Sequence, residues 1–232
     1  MVKIISCIDC ENPSCLLKQH CDTNFLNKLD LVKDQNFEKE GQYLFREGNN
    51  VHGVFVIQKG KVKIVSDEMH GKYRIVRMAN DGHFVGHHCL THETYPVSAV
   101  TIEDSILCFI DNENMFKIFM QNPKLSYMVM KFYVTELQKL EFRLKNTSLL
   151  DCREKVAEAL LDIKDVFGLN KEDNSLNAAL TRMEIAELAG VEMENVIRNL
   201  TKFEQEGFIL KKGKKIVLLD EVGLRNLIMN VN

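Results

Sequence analysis

The sequence predicts an α+β chain in three parts: an antiparallel β domain rolled on itself, a long helix, and a helical domain ending in a hairpin. Three observations predict it. Residues 37–110 carry short alternating apolar runs separated by Gly, Asn and Asp, the pattern of short antiparallel strands and turns. From Asn112 the period lengthens to that of a helix, and the stretch from Pro123 to Asn146 has no Gly or Pro after its first residue. Residues 151–232 then place helical segments around Gly190 and follow them with a lysine-rich hairpin.

Bulk composition limits the readings. The chain has 232 residues and a net charge of −3. It is long enough for one large domain or two modest ones, and its bulk charge does not mark a nucleic-acid binder. No stretch approaches the roughly 18–20 uncharged apolar residues of a membrane span. The opening MVKIISCIDC is too short and too interrupted for a secretory signal. These features predict a cytoplasmic protein with reduced thiols, in which seven cysteines do not form a disulfide framework.

Residues 1–36 form a cysteine-rich segment and a short helix around Asp22–Lys33, where Phe25, Leu26, Leu29 and Val32 fall at helical spacing. CIDCENPSCLLKQHC, residues 7–21, packs four cysteines into fifteen residues. By themselves they suit a disulfide staple, a zinc knot, a redox switch or an iron–sulfur site. The β domain spans 37–111. VFVIQKGKVKIVS reads as a hairpin about Lys59-Gly60, YRIVRM as a further strand, and PVSAVTIEDSILCFID as two strands around Glu103-Asp104.

Residues 112–147 are a helical linker and a helix of about 24 residues, about 36 Å long. That exceeds what packing on one small domain requires. Its apolar face includes Leu125, Val129, Phe132, Leu140 and Leu144, widened by Met128, Val134 and Leu137. A face this wide predicts a homodimer, with Leu125, Met128, Val129, Phe132 and Leu140 at the contact.

Residues 148–232 form the last domain. CREKVAEALLDIKDVFG reads as an amphipathic helix stopped by Gly168. In LTRMEIAELAGVEMENVIRNL, Thr181 and Glu184 make a capping box, Gly190 breaks the first helix, and a second runs from about Met193 to Glu206. Val196, Leu200 and Phe203 point inward. This is helix–turn–helix grammar, in which the second helix enters the major groove. The hairpin FILKKGKKIVLLD, tipped by Gly213, reads as the wing of a winged helix.

The domain holds 12 basic and 15 acidic residues, yet Arg198–Lys215 holds six basic and two acidic. Electrostatic binding to DNA needs such a local patch. The candidate DNA contacts are Thr181, Arg182, Glu192, Glu194, Asn195, Arg198, Lys202, Lys212 and Lys214. Arg198 can pair with guanine O6/N7 and Glu194 can accept from cytosine N4. At a spacing of i and i+4 the two can also brace each other. Ile197 can reach a thymine methyl or pack in the core.

Across nearly its whole length the chain resembles the CRP/FNR family of bacterial transcription regulators. GQYLFREGN, VFVIQKGKVKI, DGHFVGHHCL, SAVTIEDSILCFID and LTRMEIAELAGVEMENVIRNL carry the resemblance, in that order. It implies a cyclic-nucleotide-binding-like β-roll as sensor, a dimerisation helix and a winged helix–turn–helix. Its partners would be double-stranded DNA, a second copy of the chain and RNA polymerase. In the family's recognition helix a Glu and an Arg four residues apart read the half-site; here these are Glu194 and Arg198. The neighbouring base-reading residues of the family are not preserved.

The resemblance also bears on the signal. Cyclic-nucleotide members carry Gly-Glu for the ribose and Arg-Ser/Thr for the phosphate. Here the positions read Gly86-His87 and Val97-Ser98, so cyclic AMP loses its charged partner. The FNR branch holds a [4Fe–4S] cluster through three N-terminal cysteines and one from the β-roll. Cys7, Cys10 and Cys15 match with one residue fewer between the last two, and Cys108 matches the fourth. Cys21 is an extra thiol and an alternative ligand. Cys7, Cys10, Cys15 and Cys21 beside His20 also suit zinc. Some members bind haem through a β-roll histidine, and here His83, His87, His88 and His92 cluster. Cys89 and Cys152 read as structural. The cofactor readings are therefore [4Fe–4S], zinc, haem or none.

No Ser/His/Asp set, Gly-rich phosphate loop or pair of catalytic carboxylates stands at working spacing. The chain reads as a binding protein and not as an enzyme.

Overall fold

The structure, a computed structural model, describes residues 5–67, 73–87, 93–147 and 149–229. The chain divides into two compact units, residues 1–67 with 77–139, and residues 68–76 with 140–232.

In the first unit, α1 (Leu16–His20) and α2 (Thr23–Asp30) lead into a β-roll. Its strands are β1 (Lys33–Glu38), β2 (Tyr43–Phe45), β3 (Gly53–Lys59), β4 (Val62–Asp67), β5 (Tyr73–Ala79), β6 (Phe84–Val85), β7 (Ser98–Thr101) and β8 (Ser105–Asp111). They form two four-stranded sheets, ordered β1-β8-β3-β6 and β2-β7-β4-β5. The predicted helix to Lys33 is shorter than expected. Asp22 caps it by accepting from the Phe25 amide at 2.7 Å, it ends at Asp30, and Lys33 already opens β1.

The expected hairpin at Lys59-Gly60 is instead a corner. β3 pairs with β6 and β8, whereas β4 lies in the other sheet beside β7 and β5. The chain changes sheet again at Glu103-Asp104, between β7 and β8. The two corners lie against each other: the Ile102 amide donates to the Lys61 carbonyl at 2.7 Å. Gly60 has φ +132°, and a Cβ there would lie 2.1 Å from Ser105 Oγ. The short strands and central glycine read correctly as strand–turn–strand, but local alternation does not specify the pairing partner.

The outer face of the first sheet carries Val54, Val56, Phe84 and Ile110. Leu17 of α1 and Leu26 and Leu29 of α2 bury against it. So do Met115 and Ile118 of α3 (Asn112–Gln121) and Leu125 and Val129 of α4 (Pro123–Thr147). Four helices thus share one apolar core on one sheet face.

The second unit contains α5 (Cys152–Phe167), α6 (Arg182–Ala189), α7 (Met193–Gln205), β9 (Ile209–Lys212), β10 (Lys215–Leu218) and α8 (Glu221–Met229). Asp151 and Glu154 form a capping box for α5, and Gly168, at φ +74°, stops it. Thr181 and Glu184 form the expected box for α6, which ends on Gly190 in the left-handed region. Val196, Leu200 and Phe203 are fully buried, as their spacing predicts. The pair β9–β10 is antiparallel, with Lys212 opposite Lys215 across Gly213. The sequence reading missed α8, which packs on α5 and buries Leu224.

Candidate functional site: a cysteine pocket and a nucleic-acid interface

The same apolar core brings the cysteines together. Cys7, Cys10, Cys15 and Cys108 line one pocket, with Asn12, Leu17, Lys18, Leu29, Lys33, Val56, Gln58 and Ile110. Cys108 comes from the middle of β8, opposite Val56 on β3 and Gln35 on β1. Three thiols from an N-terminal loop and one from a strand some ninety residues later therefore face one space.

Neighbouring polar groups fix the loop. The Asn12 side chain is buried and donates to the carbonyls of Ile57 at 3.1 Å and Gln58 at 2.9 Å. Its carbonyl oxygen accepts from the Ser14 amide at 2.9 Å. The Cys7 amide donates to Asp30 at 2.8 Å. Lys33 Nζ lies 3.2 Å from Cys7 Sγ and 2.8 Å from Asp30. Lys18 Nζ donates to the carbonyls of Ile8, at 3.1 Å, and Cys10. Lys33, Asp30, Asn12, Lys18 and Gln58 were absent from the candidate list derived from sequence. Asn12 and Lys18 had one sequence signal, a place within the cysteine-rich run 7–21; Asp30, Lys33 and Gln58 had none.

Burial pushes the Cys7 thiol up to about 12 and the Cys108 thiol up to about 11, and raises Cys15 as well. Loss of water around the charged form is the main cause in each. At neutral pH such thiols stay protonated when unligated and are poor nucleophiles, the opposite of an activated thiol switch. Metal ligation supplies what holds buried cysteines as thiolates.

Cys21 does not line this pocket. Its Sγ accepts from Asn122 Nδ2 at 3.4 Å, and burial pushes its thiol up to about 11. The His20 ring nitrogens are buried without a hydrogen-bond partner among the described residues. Among the described residues no group of three or more His, Cys, Asp or Glu side chains converges as a single-ion site. Cys152, read as structural, is exposed at the first position of α5. Cys89, His88 and His92 lie outside the described residues.

Of the clustered histidines, His83 and His87 sit against α4. His87 lies 4.5 Å from the Tyr133 ring. His83 lies 5.2 Å from the Phe132 ring, and its Nδ1 faces the Asn80 amide at 3.4 Å. At the positions compared with a nucleotide site, Ser98 is buried, and its Oγ accepts from the Glu47 amide at 2.9 Å.

α4 presents two faces, and they differ from the expected assignment. Leu125 and Val129, expected at the dimer contact, are buried in the chain's own core. Phe132 packs on His83. Tyr127, Met130, Val134, Leu137 and Leu144 are exposed instead. Their spacing alternates three and four residues, with Glu141 completing the repeat, the register of a two-helix seam. Leu140 is exposed beside it. Single-sequence periodicity located an apolar helix but not which stripe its own sheet would cover.

In the second unit, α7 exposes Glu194, Ile197, Arg198 and Lys202. Ile197 is 47% exposed, so it is not a core residue. Arg198 bonds to Asn195 Oδ1 and not to Glu194, the expected brace. Thr181 is committed to its capping box. Arg182 donates to the Gly213 carbonyl at 3.3 Å and so ties α6 to the wing tip. Glu192 is the N-terminal cap residue of α7. The wing lysines divide by partner. Lys211 pairs with Glu204 and Lys215 with Asp173, whereas Lys212 and Lys214 are exposed at the tip.

An antiparallel β-roll, a long two-faced helix and a winged helix–turn–helix with an exposed Arg-bearing second helix define a class of DNA-binding transcriptional regulator. Comparisons agree. A cyclic nucleotide-binding domain profile matches residues 36–122, and a Crp-like helix-turn-helix domain profile matches residues 154–227. The transcriptional activator protein anr of Pseudomonas aeruginosa is 29% identical over 94% of this chain and 90% of its own length. The fumarate and nitrate reduction regulatory protein of Vibrio cholerae is 25% identical over 95% and 90%. The structure of FixK2 from Bradyrhizobium japonicum shares the fold, with a TM-score of 0.75 at 18% identity over 84% of this chain and 97% of that one. The chain belongs to the CRP/FNR family of transcriptional regulators, in its FNR-like branch. No helix among the described residues is long and apolar enough to cross a membrane.

Burial lowers His83 from its ordinary value of 6.5 to about 4, assisted by the Arg77 charge. Between those pH values the unfolded chain binds a proton that the folded chain does not. Stability is therefore fully present above pH 6.5 and is lost as pH falls toward 4. The loss expected is on the order of 2 kcal/mol. Urea unfolding across this window should show the decline in the wild type and a flatter profile in His83→Phe.

Proposed function

We propose that this regulator is switched by a [4Fe–4S] cluster held by Cys7, Cys10, Cys15 and Cys108. The observation that carries this reading is that these four thiols, distant in sequence, line one largely apolar pocket. They stand around a space and do not converge on a point. A polynuclear cluster, which spreads its thiolates over several irons, suits that arrangement better than one zinc ion with sulfurs at about 2.3 Å. When bound, the cluster supplies redox and oxygen sensitivity.

The protein's own residues link the pocket to dimerisation. Cys7, Cys15 and Cys108 pack against the same core as Leu125, Val129 and Tyr133 of α4. A change in how the 7–21 loop packs is therefore felt on one face of α4, and the opposite face carries the Tyr127–Met130–Val134–Leu137 stripe. We assign that stripe to the homodimer contact. Two copies of α7 would then read two half-sites of duplex DNA, with Arg198 and Glu194 at base edges and Lys202, Lys212 and Lys214 at phosphates. RNA polymerase is the downstream partner in this reading.

Anaerobically purified protein should show a broad brown absorbance and close to four irons and four sulfides per chain. Air should bleach it, and Cys108→Ser should lack it, whereas Cys21→Ser should retain it. Wild-type protein with stoichiometric zinc, or with no metal, would contradict the cluster reading.

Arg198→Ala should weaken binding to a specific duplex by about 1–3 kcal/mol and relax sequence preference at one position. Lys214→Ala should weaken specific and random duplexes alike and flatten the salt dependence. Fluorescence anisotropy across a salt series separates the two.

Leu137→Glu should shift sedimentation toward monomer with the thermal midpoint nearly unchanged. Val129→Ala should do the reverse, lowering stability by about 1–3 kcal/mol through a core cavity.

A further inference from the structure

We propose that Lys33 is a positioning and charge-compensating residue of the cysteine pocket, a buried ammonium aimed at Cys7 Sγ that holds the cluster in place and sets its potential. The proposal rests on the cluster reading given above.

The Lys33 side chain is 3% exposed. Nζ has three N–H donors, and all three have partners: the Ile5 carbonyl at 2.9 Å, Asp30 at 2.8 Å and Cys7 Sγ at 3.2 Å. Burying an ammonium is costly unless it is paired and hydrogen-bonded. Asp30 satisfies part of that need but is itself shared, because its carboxylate also accepts from the Cys7 amide. The remaining donor points at sulfur. A protonated thiol is a weak acceptor, whereas a metal-bound thiolate is a charged one. The geometry thus gives Lys33 its full set of strong partners when Cys7 is a ligand.

The charge of the ligated pocket points the same way. A cubane in its resting state with four thiolates is doubly negative, and Leu17, Leu29, Val56 and Ile110 surround it with low dielectric. Lys18 is the second lysine lining the pocket, but it donates to backbone carbonyls. Lys33 is the lysine whose ammonium contacts a pocket sulfur. Donors to cluster sulfurs and nearby charge govern ligand retention and reduction potential. Removing this ammonium disfavours the more negative, reduced cluster most. The potential should therefore move in the negative direction.

A surface-type ion pair that merely closes α2 onto β1 predicts something else: altered folding stability with an unaltered cluster. The test separates them. Wild type, Lys33→Met and Lys33→Arg are reconstituted anaerobically. Iron release to a chelator, the midpoint potential of one-electron reduction and the thermal midpoint of the cluster-free protein are then measured. Lys33→Met should take up iron, release it roughly tenfold faster and have a more negative potential. Lys33→Arg should lie close to wild type. Equal release and equal potential in wild type and Lys33→Met overturn the proposal, as does a folded Lys33→Arg that behaves like Lys33→Met. If Lys33→Met does not fold, Lys33→Gln keeps a donor without the charge, and an unchanged potential in that variant overturns the proposal. Wild-type protein that takes up no iron overturns the cluster reading itself, an outcome distinct from failure of the Lys33 assignment alone.

Discussion

One apolar contact underlies the first unit: Val54, Val56 and Ile110 on the outer face of the first sheet, covered by Leu17, Leu26, Leu29, Leu125 and Val129. A sheet with one apolar face must bury it, and here the cover is drawn from both ends of the unit. The N-terminal helices and α4 lie on the same surface. Each of those side chains contributes roughly 1.5–3 kcal/mol on burial, so cysteine loop and long helix are fixed by one shared source of stability. The cysteine loop and the inner face of α4 are parts of one core, and the stripe proposed for the dimer lies on the opposite face of that same helix.

The same burial determines the chemistry of the thiols. Taking Cys7, Cys15, Cys21 and Cys108 out of water disfavours their charged forms. Burial without a partner leaves them inert; burial with a metal partner makes them ligands. Polar groups appear where the loop needs direction: Asn12 reaches two backbone carbonyls of the β3 strand, and Asp30 takes the Cys7 amide. These bonds satisfy groups that would otherwise be buried unpaired. They also hold the loop against the strand that carries Val56, across from Cys108.

In the second unit, local chemistry decides more. Thr181, Glu184 and Gly190 define α6 by capping at one end and a left-handed residue at the other. α7 is buried on one side through Val196, Leu200 and Phe203, so Glu194, Ile197, Arg198 and Lys202 are left outward without any specific contact being required to place them. The wing is subtler. Four lysines look equivalent in FILKKGKKIVLLD, but Glu204 engages Lys211 and Asp173 engages Lys215, while Lys212 and Lys214 stand exposed on either side of Gly213.

The sequence by itself determined the strand and helix texture, the caps, the inward face of α7 and the family resemblance. All of these rest on interactions within a few residues or on short periodic patterns. It could not determine that Gly60 turns a corner between sheets, because alternation fixes a strand's faces and not its partner. It named Cys108 as fourth ligand only through the family resemblance and kept Cys21 as an alternative, because neither spacing nor residue type says which thiol faces the pocket. It assigned Leu125 and Val129 to a second copy of the chain, because an apolar stripe reads the same whether a sheet or another helix covers it. Nothing in the sequence marked Lys33 and Asp30. Only the tertiary structure set them beside the cysteine loop, where Asp30 takes the Cys7 amide and Lys33 Nζ meets the Cys7 sulfur.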